Sequence, residues 1–413
     1  MKITVVETDA KGGLIHFAYH LAEALGEQGH ETTLVTGEAF ELAERQGAIP
    51  VAPILKLWPQ IEANSQIGQD GIARIKRKLR RAWRGMVLIR EWTRLTVYLL
   101  RERPDVAIFS VIRFPFLFVF LATLRLAGIR LSQICHEFAQ RDRQTGPMAH
   151  LGHLAQGMGY RCFETIFFLA KDTQEEFHKT YRFSGRSCVL PHPPQLIFHD
   201  VAAPPQELRD MFKIDPSNKV VLFFGLLRPS KGVDHLLEAF AQVPTRHNAR
   251  LVISGYPTKM FDTQALRRRA KSLGIEARCR FHFDYLPNEK VSPLMEMADL
   301  VVFPYRNATA SGVLALAQSF AKPVIATRVG GLMEAVTDGE TGITVPPEDP
   351  TAIAKAIDDL LAHPDKARRL GQNAKRVLAH ERSWAVAAAR VSAQLTPKVR
   401  DVAETAGGST QGD

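Results

Sequence analysis

Short apolar runs alternate with longer segments of helical periodicity along most of this 413-residue chain. In the first half the apolar runs are KITVVET, HETTLVT, DVAIFS, RLSQIC and TIFFLA. The segment GGLIHFAYHLAEALGEQG, between the first two runs, repeats its apolar residues at the spacing of one helix face, and Gly29 is suited to end that helix. Runs that are apolar at nearly every position are typical of strands in a parallel sheet that helices cover on both sides.

The second half repeats this alternation, starting from KVVLFFG. RLVISG, RFHFDY, DLVVFPY, KPVIAT and TGITVPP predict five more strands, and the segments between them, such as QALRRRAKSLG, predict helices. Two successive sets of alternating strands and helices predict an α/β protein with two doubly wound, Rossmann-like domains that face each other across a cleft. A ligand is expected where the carboxyl ends of the two sheets meet.

A proline-rich segment sets the predicted domain boundary. Three prolines within residues 191–194, in SCVLPHPPQLIF, favour an extended linker. We expect an N-terminal domain over residues 1–193 and a C-terminal domain over residues 194–376, and a helix over 377–402 that crosses back to the N-terminal domain. Residues 403–413 are small and polar and are expected to be disordered, because they have too little apolar surface to bury.

Composition narrows the class of protein. A content of 46% hydrophobic and 23% charged residues is typical of soluble globular proteins. The N-terminus lacks the apolar core of a signal peptide, and the longest apolar stretch, residues 114–124, is shorter than the roughly 20 residues that a membrane-spanning helix needs. Four scattered cysteines without a CxxC pair argue against a zinc site or a disulfide framework. We therefore expect a cytoplasmic protein.

The net charge of +10 is concentrated in one segment, where seven basic residues and no acidic one lie between Ile72 and Arg84. The run IARIKRKLRRAWRGMVLIREW spaces apolar residues among these cations and predicts a basic amphipathic helix over residues 72–94. Two interpretations stay open: the helix binds the anionic inner face of the cell membrane, or it packs its apolar stripe against the N-terminal domain. Nucleic acid is not expected as a partner, because stacking aromatics do not alternate with the cations. The residues that would contact a membrane are Arg74, Lys76, Arg77, Lys78, Arg80, Arg81, Trp83 and Arg84.

Two strand-to-helix loops in the second half are suited to binding phosphate. In FFGLLRPSKGVDHLLEAF a predicted strand ends at Gly225, and the loop before the next helix carries Arg228 and Lys231, whose side chains suit phosphate oxygens. In PYRNATASGVLALAQ small residues lead into a helix at Ser311 and Gly312, whose first amide groups have no partner within the helix. The alternatives are charges on a surface loop and a tight turn with a serine cap.

The first half contributes two weaker candidates. Gly12-Gly13 lies between the first strand and the first helix but lacks the three-glycine dinucleotide fingerprint, so the turn does not support a nicotinamide or flavin site. His136 follows the strand RLSQIC, at the sheet edge where ligands bind. A glycine pair in such a position is often only a turn, and a single histidine is usually structural.

Together these segments resemble the retaining glycosyltransferases of family 4, which have the GT-B architecture, from Lys2 to about Trp384. The resemblance implies that Arg228 and Lys231 grip the diphosphate of a nucleotide-sugar donor and that His136 lies near the transferred sugar, so these three are the candidate catalytic residues. It also implies that the stretch FDYLPNEKVSPLMEMADLVVFPY passes the nucleobase. The donor-binding residues that it implies are Gly12, Gly13, Gly225, Tyr285, Leu286, Thr309, Ser311, Gly312, Val313 and Glu334.

The donor loop departs from the pattern of most of the family, which has two glutamates separated by seven residues. Those positions are Ala308 and Leu316 here, and neither side chain can accept a hydrogen bond. The sequence ATASGV is similar to the loop of a subset of the family, in which backbone amides would hold the diphosphate. The partner of the ribose is left open. Glu334 is the nearest carboxylate in a family-like block, and a structural role for it is equally open.

The resemblance implies transfer of a sugar from a nucleotide-diphosphate sugar to a glycan or lipid-linked acceptor, in cell-surface polysaccharide or glycolipid biosynthesis. It implies neither a metal ion nor a cofactor, since cations and amide dipoles would stabilise the leaving diphosphate. Two alternatives remain because the paired acids are missing: a nucleotide-sugar epimerase of the same fold, and a noncatalytic subunit that binds nucleotide sugars.

Overall fold

The computed structural model describes residues 1–45, 49–57, 71–136, 147–198 and 205–396. It contains two parallel β-sheets of seven and six strands, one in each half of the chain, with helices between successive strands. This confirms the predicted α/β fold with two Rossmann-like domains facing across a cleft.

The N-terminal sheet has the strand order β3-β2-β1-β4-β5-β6-β7, and all its pairs are parallel. Its strands are β1 (Lys2–Val6), β2 (Glu31–Gly37), β3 (Val51–Leu55), β4 (Val106–Phe109), β5 (Arg130–Cys135), β6 (Thr165–Phe168) and β7 (Arg186–Val189). Its helices are α1 (Gly13–Glu27), α2 (Gly71–Glu102), α3 (Phe118–Leu126), α4 (Pro147–Arg161) and α5 (Lys171–Thr180). The sequence analysis does not predict β3, which has Pro53 at its centre, or β7, which begins with Arg186 and Ser187; both are partly buried edge strands.

The C-terminal sheet has the strand order β10-β9-β8-β11-β12-β13, again with parallel pairs. Its strands are β8 (Lys219–Phe224), β9 (Ala249–Ser254), β10 (Cys279–His282), β11 (Leu300–Phe303), β12 (Val324–Thr327) and β13 (Ile343–Val345). The helices of this half are α6 (Pro205–Phe212), α7 (Val233–Gln242), α8 (Thr263–Ser272), α9 (Val291–Met297), α10 (Gly312–Ser319), α11 (Gly331–Ala335), α12 (Pro350–Ala362), α13 (Pro364–Glu381) and α14 (Trp384–Leu395).

The strand order fixes where a ligand can bind. In each sheet the chain first builds outward to one side and then returns to the other, so the reversal lies between β1 and β4 in one sheet and between β8 and β11 in the other. Loops at such a reversal diverge to opposite faces and leave a crevice at the carboxyl ends of the strands. The loops that follow β1, β8 and β11 carry the predicted glycine turn, cations and small-residue segment.

The last helix, α14, packs against α1 of the N-terminal domain. Gln28 Nε2 donates to the carbonyl oxygen of Ala385 at 3.1 Å, and Ser392 Oγ lies 2.9 Å from His30 Nε2. At the start of α14 the indole N–H of Trp384 donates to the carbonyl oxygen of Pro194 at 2.7 Å, which ties the proline-rich linker to the same helix. The predicted tail, residues 403–413, and the end of the predicted crossing helix, 397–402, lie outside the described residues.

The basic helix is longer than predicted and changes character along its length. The C-terminal part of α2 buries Trp92, Leu95 and Leu99 against the sheet. Further toward its N-terminus, Trp83 and Met86 are 54% and 64% exposed. The side chains of Arg74, Lys76, Arg77 and Lys78 lie outside the described residues. Over the part of the chain that the structure describes, no helix is both long enough and apolar enough to cross a membrane.

Candidate active site

A cleft of about 1160 Å³ lies between the two domains and is lined by both. The predicted residues that line it are Gly12, Gly13, His136, Gly225, Arg228, Tyr285, Leu286, Thr309, Gly312 and Val313. Residues far apart in the chain thus meet in one site. Lys231, Ser311 and Glu334 are predicted site residues that do not line the cleft wall.

The phosphate-binding candidates lie close together on the C-terminal side of the cleft. Arg228 has extended backbone and leads into a single 3₁₀ turn that ends at Gly232. Gly232 has φ +61°, and a Cβ there would lie 2.0 Å from the carbonyl oxygen of Pro304, so only glycine lets this turn approach the end of β11. The Nζ atom of Lys231 lies 3.5 Å from the ring centroid of buried Tyr305, so Lys231 packs against the segment that follows β11.

The start of α10 is the second predicted phosphate-binding segment. The hydroxyl of Ser311 accepts the N–H of Leu314 at 3.3 Å and so caps the helix, and it lies 3.3 Å from the hydroxyl of Tyr305. Gly312 and Val313 are the first two residues of the helix and line the cleft. Amides at these positions have no partner within a helix, and the helix dipole adds positive potential. The arrangement suits an anion.

The N-terminal side presents the glycine turn. Gly12 precedes α1 with φ +89°, a conformation that favours glycine, and its N–H donates to Glu41 Oε1 at 2.5 Å. His16, one turn into α1, places Nε2 2.6 Å from the same carboxylate oxygen. Burial alone would raise the pKa of Glu41, but contacts with His16 and the hydrogen bonds from Gly12 and Tyr285 together lower it. Glu41 therefore carries a negative charge at neutral pH.

The histidine that follows β5 is held in an apolar setting. The His136 ring lies edge-to-face against Phe17, with the ring centroids 4.8 Å apart. Burial, and to a smaller extent the neighbouring His192, lower the pKa of His136 to about 3. At neutral pH the imidazole is therefore uncharged. It can exchange hydrogen bonds with a hydroxyl group, but it cannot supply positive charge to a phosphate.

Two sequence models of protein families match the chain. One, described as a glycosyl transferase 4-like domain, matches residues 12–193, and the other, glycosyl transferases group 1, matches residues 205–377. The two models together span most of the chain, which belongs to the glycosyltransferases, with a 4-like N-terminal half and a group 1 C-terminal half.

Similar proteins include the D-inositol 3-phosphate glycosyltransferase of Corynebacterium glutamicum, 39% identical over 180 residues, which are 42% of each chain. The chain thus spans less than half the length of this curated relative. The GDP-mannose-dependent alpha-(1-6)-phosphatidylinositol monomannoside mannosyltransferase of Mycolicibacterium smegmatis is 28% identical over 246 residues, which are 56% of this chain and 62% of that one. Among solved structures, HepE from Anabaena in complex with UDP and glucose superposes with a TM-score of 0.72 at 19% identity, over 96% of this chain and 99% of that chain. At such identity the likeness shows the fold alone.

In this glycosyltransferase the two positions at which the family resemblance implies glutamates, Ala308 and Leu316, are buried and apolar. Leu316 lines the cleft, whereas Ala308 lies beneath the loop, where a Cβ on Gly330 would lie 1.9 Å from its carbonyl oxygen. Glu334 is placed elsewhere: its Oε1 accepts the backbone N–H groups of Lys171 at 2.8 Å and Asp172 at 3.3 Å, at the start of α5. The contacts of Glu334 therefore join the C-terminal domain to the N-terminal one.

Sequence reasoning missed two linker residues in the cleft of the glycosyltransferase. His192 and Gln195 both line it. Gln195 Nε2 donates to the carbonyl oxygen of Gly13 at 3.3 Å, and a Cβ on Gly312 would lie 3.3 Å from the same nitrogen. The linker thus passes between the starts of α1 and α10. The prolines of PHPPQ indicate a linker, but nothing local indicates that it faces a ligand.

The sequence analysis also does not predict a group of N-terminal-domain residues that line the cleft. Arg113 lines it and is paired with Asp9, which follows β1. Glu7 beside them is fully buried, and burial, followed by the charge of Asp9, raises its pKa to about 8. Aromatic residues, including Phe114 and Tyr160, complete this part of the lining.

Over the described residues no three His, Cys, Asp or Glu side chains are grouped so as to hold a metal ion.

Proposed function

We propose that this glycosyltransferase transfers a sugar from a nucleotide-diphosphate sugar to a glycan or lipid-linked acceptor, with retention of the anomeric configuration and without a metal ion. One observation carries the proposal. Arg228 and the start of α10 at Gly312 share a single cleft with the glycine turn and with His136. A cation and a helix start suit a diphosphate, and a neutral imidazole suits sugar hydroxyls.

In the proposed reaction the bond between the sugar C1 and the β-phosphate oxygen breaks as the acceptor oxygen forms a new bond to C1. The electron pair of the broken bond stays on the nucleoside diphosphate. Arg228 and the amides of Gly312 and Val313 would stabilise that charge. The acceptor hydroxyl gives its proton to the departing phosphate oxygen on the same face of the sugar, which accounts for retention without a protein nucleophile.

The acceptor class and the location are further parts of this proposal. Two relatives carry names that refer to D-inositol 3-phosphate and to a phosphatidylinositol monomannoside, so both water-soluble and lipid-linked acceptors occur among similar proteins. On α2 the exposed Trp83 and Met86 lie beside exposed Arg80 and Arg81. Amphipathic surfaces of this kind bind anionic bilayers, which favours the membrane interpretation of α2 and a place on the inner face of the cell membrane.

Incubation with a panel of nucleotide sugars and candidate acceptors tests the proposal, with product and anomeric configuration followed by NMR. We expect transfer, or slow hydrolysis of the preferred donor, by the wild-type protein in the presence of EDTA. The variant Arg228→Ala/Lys231→Ala should bind the nucleoside diphosphate at least tenfold more weakly, because charge-assisted hydrogen bonds are worth about 1.5–3 kcal/mol each.

Arg268→Ala is the matched control, since Arg268 is exposed on α8 of the same domain and pairs only loosely with Asp262, at 3.4 Å. It should leave binding unchanged. Tight donor binding without turnover on any acceptor would instead indicate a noncatalytic binding subunit. Conversion of the donor into its epimer, without an acceptor, would indicate an epimerase.

A further inference from the structure

Glu41 is a buried carboxylate behind the lining of the cleft, and the proposed chemistry does not use it. It lies in the segment after β2, and its side chain is only 8% exposed. The backbone N–H of Glu41 donates to the carbonyl oxygen of Ala10 at 3.0 Å, which fixes this segment to the loop between β1 and α1. The carboxylate is therefore held in place by its own domain.

The two oxygens of this carboxylate contact different domains. Oε1 accepts the N–H of Gly12 at 2.5 Å and lies 2.6 Å from His16 Nε2, both in the N-terminal domain. Oε2 accepts the hydroxyl of Tyr285 at 3.0 Å and lies 3.5 Å from Asn288 Nδ2, both in the C-terminal domain. A single side chain thus joins the glycine turn of one domain to the segment after β10 of the other.

Both ends of this bridge belong to the lining of the cleft. Gly12 precedes α1, and Tyr285 is adjacent to Leu286 in the segment expected to face the nucleobase. A hydrogen bond to an ionised partner is about twice as strong as one between neutral groups, and burial protects it from competition by water. Rotation of one domain away from the other would break the contact with Tyr285 and replace it with a weaker, solvent-exposed contact with water.

We propose that Glu41 is a positioning residue that couples the two domains in the donor-bound state, by holding the nucleobase segment at Tyr285 against the glycine turn at Gly12. The inference rests on the proposed function, because it assigns Glu41 to the nucleotide-sugar site. Glu41 does not touch the reacting atoms. It fixes the distance between two loops that would contact opposite ends of one donor, so that binding at one loop favours the other.

A double-mutant cycle on nucleotide affinity tests this role. UDP, GDP, ADP and dTDP are titrated calorimetrically into the full-length protein, and the tightest of them is used with Glu41→Gln, Tyr285→Phe and the double variant. Each single change is expected to weaken binding about tenfold or more, since each removes a buried, charge-assisted hydrogen bond. The double variant should be no weaker than the worse single one, because both changes remove the same contact.

Glu38→Gln is the matched control, because Glu38 lies three residues earlier in the same segment and pairs with Lys56 on the surface, where both side chains are about half exposed. It should leave affinity unchanged. Unchanged affinity in Glu41→Gln and Tyr285→Phe, or losses that add fully in the double variant, would overturn the inference. If Glu41→Gln does not fold, Tyr285→Phe decides the question, since it removes one hydroxyl. Failure of the wild-type protein to bind any of the four nucleotides would instead contradict the proposed function.

Discussion

Gly312→Ala is expected to separate nucleotide binding from folding. Gly312 is the first residue of α10 and lines the cleft where the diphosphate would bind. A Cβ built on it would lie 3.3 Å from Gln195 Nε2 and 3.5 Å from His192 Cε1. The first distance requires the Gln195 side chain to move by a few tenths of an ångström, whereas the second is an ordinary van der Waals contact. The residue has no positive φ, so alanine introduces no backbone strain.

The substitution is expected to change the free energy of unfolding less than the free energy of nucleotide binding. Replacing glycine by alanine in a helix is favourable by up to about 1 kcal/mol, which offsets the cost of the tight contacts in the folded protein. The added methyl group would lie beside Gln195 and His192 in the cleft, where we expect it to hinder the approach of a diphosphate to the start of α10. Loss of one charge-assisted hydrogen bond to the diphosphate costs about 1.5–3 kcal/mol, which corresponds to a loss in affinity of roughly 10- to 150-fold.

Calorimetric titration with the preferred nucleoside diphosphate, together with a thermal unfolding curve, measures both effects. We expect Tm within a few degrees of wild type and affinity reduced at least tenfold. Gly85→Ala in α2 is the matched control, because a Cβ there meets nothing within 4 Å. A Gly312→Ala protein that binds nucleotide as tightly as wild type would refute diphosphate binding at the start of α10.

Three further predictions concern charge, the ribose and the membrane. The pKa of His136 is lowered to about 3, so the folded protein does not take up the proton that the unfolded chain binds near pH 6.5. The free energy of unfolding should therefore fall as the pH is lowered from about 6.5 to about 3. Unfolding curves of His136→Phe should show a smaller fall, and an equal fall would count against a neutral histidine at this position. Because Leu316 cannot hydrogen-bond a ribose hydroxyl, a 2′-deoxy donor should be used with a kcat/KM within about threefold of the ribose form; a loss of a hundredfold would show that another residue reads that hydroxyl. Flotation with anionic liposomes should be abolished when Arg77, Lys78, Arg80 and Arg81 are changed to glutamine, while transfer to a water-soluble acceptor is kept; unchanged flotation would favour the packing interpretation of α2.

The parts of the fold and site that the sequence predicts are those encoded by nearby residues. Central strands such as β1 and β8 are buried along nearly their whole length, so each appears as an apolar run. Arg228 lies in the loop between β8 and α7, and Gly312 begins the helix that follows β11, and this local order is sufficient to place them on the cleft. The same reasoning does not detect β3, which has Pro53 at its centre, or β7, which begins with the polar residues Arg186 and Ser187.

The contacts that the sequence does not predict join distant parts of the chain. Glu41 and Tyr285 are 244 positions apart, and only the relative placement of the two domains brings them together. Gln195 enters the cleft because Trp384 of α14 holds the neighbouring Pro194 in place. Glu334 lies in a block whose sequence is similar to the family pattern, but its carboxylate accepts a hydrogen bond from the start of α5. Domain docking sets each of these contacts, and no local pattern encodes it.

The location of the diphosphate tests the central claim most directly. A crystal structure of the protein with its preferred nucleoside diphosphate would measure it. We predict phosphate oxygens within about 2.7–3.2 Å of the amide nitrogens of Gly312 and Val313, with the Arg228 guanidinium on the same oxygens and the base beside Tyr285. A diphosphate bound away from the start of α10, with those amides facing only solvent, would contradict the account.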